Sequence, residues 1–145
     1  MLIVSNFGET LKDLIQENEI APKQLAEAVG VAVSSVYRWQ SGKLKVYLSK
    51  LLKLADYFHC SLDYLTGRKE EYSPYYGKTC PPFGKRLREI LHAKGVSTYR
   101  LRKESNIDGC YFYKWDRGSD PHVLTLIEIA NYLDVSLDYL VGREN

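Results

Sequence analysis

Residues 23–43 read KQLAEAVGVAVSSVYRWQSGK. Leu25, Ala26 and Val29 recur at helical spacing, Gly30 interrupts the run, and Val33, Val36 and Trp39 resume it in a second helical phase. The pattern predicts a helix, a tight turn and a helix. Gly30 supplies the left-handed backbone that a sharp turn between two short helices requires, and Val31 is placed to pack inward between them. On the second helix Val36 and Trp39 face a core. Ser34, Ser35 and Arg38 then face outward, with Tyr37 divided between that outer face and packing. A short, small, polar face carrying one arginine has the shape and the donors of a helix laid in the major groove of DNA.

The chain continues with QSGK at 40–43 and LLKLADYFHCSLDYLTG at 51–67. Five elements therefore follow in order: Leu25-Ala26, Gly30-Val31, Trp39 with Gly42-Lys43, LADYF at 54–58 and SLDYLTG at 61–67. This ordered set resembles the helix-turn-helix family of phage repressors and Cro proteins, also called the XRE family. Five linked elements are far more specific than one helix-turn-helix match. The resemblance implies five short helices around one core and a sequence-specific, DNA-binding transcriptional regulator acting on double-stranded DNA. Carried over residue by residue, it places Val33, Ser34 and Arg38 at base edges, with Arg38 able to bond a guanine through two donors. It places Ser35, Ser41 and Lys43 at phosphates, and Lys23, at the start of the preceding helix, with them. Trp39 is assigned to structure.

The chain has 145 residues, 45% apolar and 26% charged, which is ordinary for globular protein and argues against disorder or a fibrous class. No apolar run approaches a membrane span, and residues 1–4, MLIV, are too short for a signal peptide, so a cytoplasmic location is expected. Cys60, Cys80 and Cys110 lie far apart and form no C-x-x-C pair. Free thiols are expected rather than a zinc site or a disulfide framework. His59, His92 and His122 show no ligand spacing, and no nucleophile–base arrangement stands out, so no metal, no cofactor and no enzymatic activity are expected.

The chain also repeats itself. One displacement lays Phe83-Gly84 on Phe7-Gly8, Leu87 on Leu11, Leu101 on Leu25, Tyr113 on Tyr37, Trp115 on Trp39 and Gly118 on Gly42. After Gly118 the second copy is one residue shorter, and SLDYLVGR at 136–143 overlies SLDYLTGR at 61–68. The expected architecture is all-α: two tandem five-helix, repressor-like domains at 1–67 and 83–145, joined by a linker at 68–82. Each is about the size at which a small helical domain can fold alone with a modest margin.

Within the first copy, Asn6 and Glu9 have the spacing of a helix cap and its partner, starting a helix through Glu17 with Phe7, Leu11, Leu14 and Ile15 inward. Pro22 suits the first turn of the second helix, although Ala21 is a poor cap. The third helix spans about 33–41. A fourth, about 48–57, turns Leu48, Leu51, Leu52 and Ala55 inward, and Ser61 caps a short fifth. The linker, RKEEYSPYYGKTCPP, is charged and then rich in Pro, Gly and Tyr. Tyr72, Tyr75 and Tyr76 exceed what a flexible spacer needs and are expected to pack on a neighbouring domain.

A net charge of +2 is weak for a nucleic-acid binder, so distribution matters more than total. Arg38, Lys43, Lys45, Lys50 and Lys53 follow one another with no acid between them. Over 83–103 the second copy sets Lys85, Arg86, Arg88, Lys94, Arg100, Arg102 and Lys103 against Glu89 alone. Local basic faces suffice for phosphate contact, because attraction is screened beyond roughly 10 Å at 0.1 M salt. Without the helix-turn-helix, either cluster would read as a solvated lysine face.

The second copy departs from the pattern where reading would occur. Asn106 stands at the turn glycine, which its own tolerance of left-handed backbone allows, and Asp108 is a good helix cap. Gly109, at the position of Val33, offers no side chain, and Cys110 is a weak hydrogen-bonder. Tyr111, Phe112 and Tyr113 make the helix aromatic. It is expected to hold DNA backbone through Tyr111, Tyr113, Lys114 and Arg117, or to present its tyrosines to protein. The alternative function is thus a protein-interaction adaptor, antitoxin-like or antirepressor-like. Because repressor-type domains act in pairs, a homodimer or an intrachain pseudo-dimer is expected.

Overall fold

A computed structural model describes residues 6–43, 45–72 and 74–144; the reading of residues 1–4 lies outside them. The chain divides into two compact units, Met1–Tyr76 and Gly77–Asn145. Among the described residues the regular structure is helical and no strand forms.

The first unit contains α1 (Phe7–Glu17), α2 (Pro22–Val29), α3 (Val33–Gln40), α4 (Leu48–Phe58) and α5 (Leu62–Leu65). On α1, Phe7, Leu11, Leu14 and Ile15 are all buried, as the 3.6-residue period requires. The expected Asn6 cap is not made. Asn6 sits at φ −98°, ψ 27°, without a side-chain cap bond. A cap needs extended backbone, and Gly67, at φ +83°, packs so closely on Asn6 that an added β-carbon would lie 2.8 Å from the Asn6 amide nitrogen. At α2 the poor cap is offset differently: the Ala21 N–H donates to Gln24 Oε1 at 2.7 Å, ahead of Pro22 in the first turn. Gly30 closes α2 at φ 76°, with its N–H on Ala26 O at 2.9 Å, so the tight turn forms as predicted and leaves Val31 half-buried.

Leu48, Leu51, Leu54, Ala55 and Phe58 form the inner stripe of α4. Leu52, predicted inward, is only half-buried, because successive residues turn by about 100° and Leu52 falls at the stripe's edge. The Ser61 hydroxyl accepts the Tyr64 N–H at 3.0 Å and caps α5 as expected. Behind it, Arg68 pairs with Asp63.

The second unit contains α6 (Phe83–Lys94), α7 (Thr98–Glu104), α8 (Gly109–Asp116), α9 (Val123–Leu133) and α10 (Leu137–Val141), the same order at nearly the same lengths. Ser136 caps α10 through the Tyr139 N–H at 3.0 Å, and a buried Arg143 meets Asp138 at 2.9 Å. The repeated SLDYL-x-GR motif therefore makes the same two local structures in both units.

In each unit an aromatic pair joins the first helix to the third: Phe7 with Trp39 at 6.2 Å, and Phe83 with Trp115 at 5.1 Å between ring centroids. Glycine permits the approach. A β-carbon on Gly8 would lie 2.8 Å from Trp39 O, and one on Gly84 would lie 3.1 Å from the Asp116 nitrogen.

The turn before α8 departs from expectation. Asn106 is not left-handed; among the described non-glycine residues positive φ occurs at Glu19, His59 and Asp134. Instead the helix stops one residue early at an extended Ser105 (φ −117°, ψ 166°), whose hydroxyl donates to Leu101 O. The Asn106 N–H donates to Glu128 Oε1 at 3.0 Å. With that donor satisfied from α9, no left-handed turn is needed to end the helix.

Three tyrosines of the expected linker make contacts that a flexible spacer would not need. The Tyr72 ring packs edge-on against Tyr64 at 5.3 Å, the Tyr75 N–H donates to His59 O at 2.8 Å, and Tyr76 lies 4.7 Å from the His59 ring. All three tyrosines sit on the first unit.

Candidate nucleic-acid interface

The outer face of α3 is built by what its inner face buries. Val36 and Trp39 are 0% and 4% exposed, and the indole N–H donates to Lys45 O at 3.3 Å, tying the end of α3 to the basic loop. This anchoring leaves Val33 38% and Tyr37 56% exposed, with Ser34 and Arg38 on the same surface. Tyr37, undecided from sequence, is therefore outward. An Arg38 guanidinium nitrogen donates to Ser34 Oγ at 3.3 Å, so the two polar side chains along the face already point the same way. Ser41 is exposed and donates to Arg38 O at 2.8 Å, closing the helix, and Lys43 follows it into solvent. Lys23 is exposed in the first turn of α2.

Ser35 is half-buried, at the rim of a depression of about 290 Å³ lined also by Val31, Arg38, Trp39, Lys45, Tyr47 and Lys50. Lys50 reaches Val29 O at 3.4 Å, completing the end of α2. Sequence reasoning placed Lys45 and Lys50 in a basic run but not around this depression; their grouping depends on the start of α4 packing against α2.

In the second unit Asp108 caps α8, accepting the Cys110 N–H at 3.0 Å. That bond and the others from Cys110, followed by the charges of Arg102 and Lys114, hold its carboxyl below the usual range. Trp115 is buried, Phe112 half-buried, and Tyr111 and Tyr113 are 44% and 60% exposed. Lys114 Nζ lies 5.4 Å above the Tyr111 ring and Arg117 lies 4.5 Å above Tyr113. The predicted backbone contacts of the second copy thus form two cation–aromatic pairs on one helix, still exposed.

Much of the second copy's basic cluster is committed within the protein. Arg86 donates to Tyr139 O at 3.1 and 2.8 Å and covers the Tyr139 ring, Arg88 pairs with Asp116, and Arg100 meets Glu104 at 2.8 Å. The first unit's run from Arg38 to Lys53 contains no acid in sequence.

Among the described residues no group of His, Cys, Asp and Glu is placed to hold a metal ion, and no helix is long and apolar enough to cross a membrane. The sequence profile of the Cro/C1-type helix-turn-helix DNA-binding domain matches residues 10–70. An uncharacterized HTH-type transcriptional regulator of Bacillus subtilis (strain 168), YobD, is 29% identical over 100 residues, covering 68% of this chain and 84% of that protein. A transcriptional regulator from Listeria innocua, known as a crystal structure, is 29% identical, with 70% of this chain and 87% of that one covered at a TM-score of 0.43. Residues 10–70, with α2 and α3 at their centre, are a Cro/C1-type helix-turn-helix DNA-binding domain.

Proposed function

We propose that this DNA-binding transcriptional regulator reads an operator with α3 laid in the major groove. Val33, Ser34 and Arg38 approach base edges, while Lys23, Ser35, Ser41 and Lys43 hold phosphates. The observation that carries this reading is the pairing of an exposed Arg38 with Ser34 on the outward face of a helix whose inner face is pinned by Trp39. We further propose that residues 83–145 are a second domain of the same type, joined through 68–82 to the first at 1–67. The second domain holds an adjacent DNA segment through Tyr111, Tyr113, Lys114 and Arg117. The two domains then act as an intrachain pseudo-dimer, or pair across a homodimer, and the protein is a cytoplasmic binding protein rather than an enzyme.

Selection of the full chain against random duplex DNA, at low and at physiological salt, tests this. The expected outcome is one enriched motif whose affinity falls steeply as salt rises, because phosphate contacts release counterions. The exposure of Tyr99 and Tyr113, 64% and 60%, favours the adaptor reading for the second unit. Absence of any enriched motif at either salt would refute operator reading and leave that alternative.

A further inference from the structure

The sharpest difference between the units lies where the second helix meets the third. In the first unit this junction combines a small buried residue on α2, Ala26 at 3% exposure, with Val33 opening α3. At the matching positions the second unit has Arg102 on α7 and Gly109 opening α8. The large side chain has changed helices.

The structure shows what the exchange achieves. A β-carbon on Gly109 would lie 2.5 Å from Arg102 Cζ and 2.6 Å from its Nε, so the guanidinium occupies the volume a side chain at 109 would need. Gly109 does not have positive φ, hence it is not there to relieve backbone strain. The close packing of α2 on α3 is not repeated between α7 and α8, consistent with a side chain lying across their junction. Arg102 is exposed, at the edge of a depression lined also by Tyr99, Lys103, Ile107, Asp108 and Gly109.

We propose that Arg102 is the base-reading side chain of the second unit, reaching from α7 across Gly109 to the groove-facing end of α8, with a guanine as its partner. This rests on the reading that the second unit also lies on DNA. The N-terminal residues of the third helix are those that meet base edges when such a helix enters the major groove. On α8 those positions hold Gly109 and Cys110, which cannot discriminate bases by hydrogen bonding. A guanidinium at that end supplies the paired donors that match guanine O6 and N7. Lys114, at the position of Arg38, offers only a point charge and lies over Tyr111.

The test uses the full chain and compares wild type with Arg102→Ala, Arg102→Lys, Gly109→Val and the double variant Arg102→Ala/Gly109→Val, each subjected to selection and then to competition binding. Arg102→Ala should reduce discrimination at one base pair of the second segment by about tenfold or more, leaving the segment read by α3 unchanged. Arg102→Lys should lose the same discrimination while keeping the salt dependence, since charge remains and the fork is gone. Gly109→Val should lose it too, by displacing the exposed guanidinium, with little change in melting temperature. The double variant should match Arg102→Ala in discrimination, since no guanidinium remains to be displaced.

Three results would overturn the inference. One is a second segment whose motif survives Arg102→Ala. Another is uniform weakening of all sequences with a salt slope reduced by about one, the mark of a phosphate contact alone. In both cases the second domain still binds DNA and only the role of Arg102 falls. The third is a wild-type motif confined to the segment read by α3, which removes the second domain from DNA and the inference with it.

Discussion

Arg38 and Lys43 carry the same charge, and the proposed reading gives them different tasks because their surroundings differ. Arg38 sits on the helix face beside Ser34, where a planar fork can meet one base; Lys43 follows the helix, where a flexible ammonium meets the phosphate line. Arg38→Ala should cost about 1 to 3 kcal/mol in binding and relax the preference at one base pair, whereas Lys43→Ala should weaken all sequences alike and reduce the salt slope by about one. Competition binding across single-base variants of the selected site checks both. If Arg38→Ala left motif and affinity intact, α3 would not be the reading helix. At this scale the sequence named the charged residues but not their commitments: Arg86 looks like any surface arginine in the one-letter string, yet its donors are spent on Tyr139 O. Its partner lies far along the chain, out of reach of any local pattern.

At the scale of the element, the proposed reading by α3 requires that α1 hold it in place. Gly8 lets α1 approach the end of α3 closely, and the atoms an added β-carbon would meet are the backbone oxygens of Trp39 and Gln40, at 2.8 and 2.9 Å. Backbone cannot rotate aside as a side chain does. Gly8→Ala should therefore destabilise the first unit by about 1 to 3 kcal/mol, the cost typical of overpacking, despite the better helix propensity of alanine. Denaturant unfolding should show a lower midpoint at unchanged slope, and operator affinity should fall with it as α3 shifts. A midpoint at or above that of the wild type would show that α1 moves freely. The helices themselves were legible because their apolar period and punctuating glycines are local signals. Their ends were less so: Asn6 lies close to Gly67 and makes no cap bond, and the Asn106 N–H is taken by Glu128, both neighbours from distant sequence.

For the whole molecule, the proposed second domain would make a second DNA contact intramolecular, which raises its effective concentration. Successive half-sites on one DNA face lie about 34 to 36 Å apart. Fully extended, residues 68–82 would span up to about 50 Å, and as a coil nearer 20 Å on average. Within the first unit the Tyr75 N–H is bonded to His59 O, and within the second the Lys78 N–H is bonded to Arg143 O at 3.4 Å. Inserting about 5 base pairs, half a helical turn, between the two contacted segments should cause a sharp loss of affinity and of protection over one of them. Footprinting and affinity measurements across such a series decide it, and unchanged affinity would mean that the second unit does not share the site.

The helix-turn-helix, its buried tryptophan, the serine cap of the SLDYL motif and the outward placement of Ser34 and Arg38 on α3 were legible in the sequence alone, since each rests on residues within a few turns of one another. Spacing along a helix determines facing, and a glycine or serine at a helix end determines a turn or a cap. Tertiary structure decided which charges remain available, how far the tyrosines of 68–82 fold onto the first unit, and that Arg102 fills the space Gly109 leaves. Those outcomes depend on volume and hydrogen-bonding partners brought together from separate helices. A one-dimensional pattern records that Gly109 has no side chain; only packing shows whose side chain takes its place.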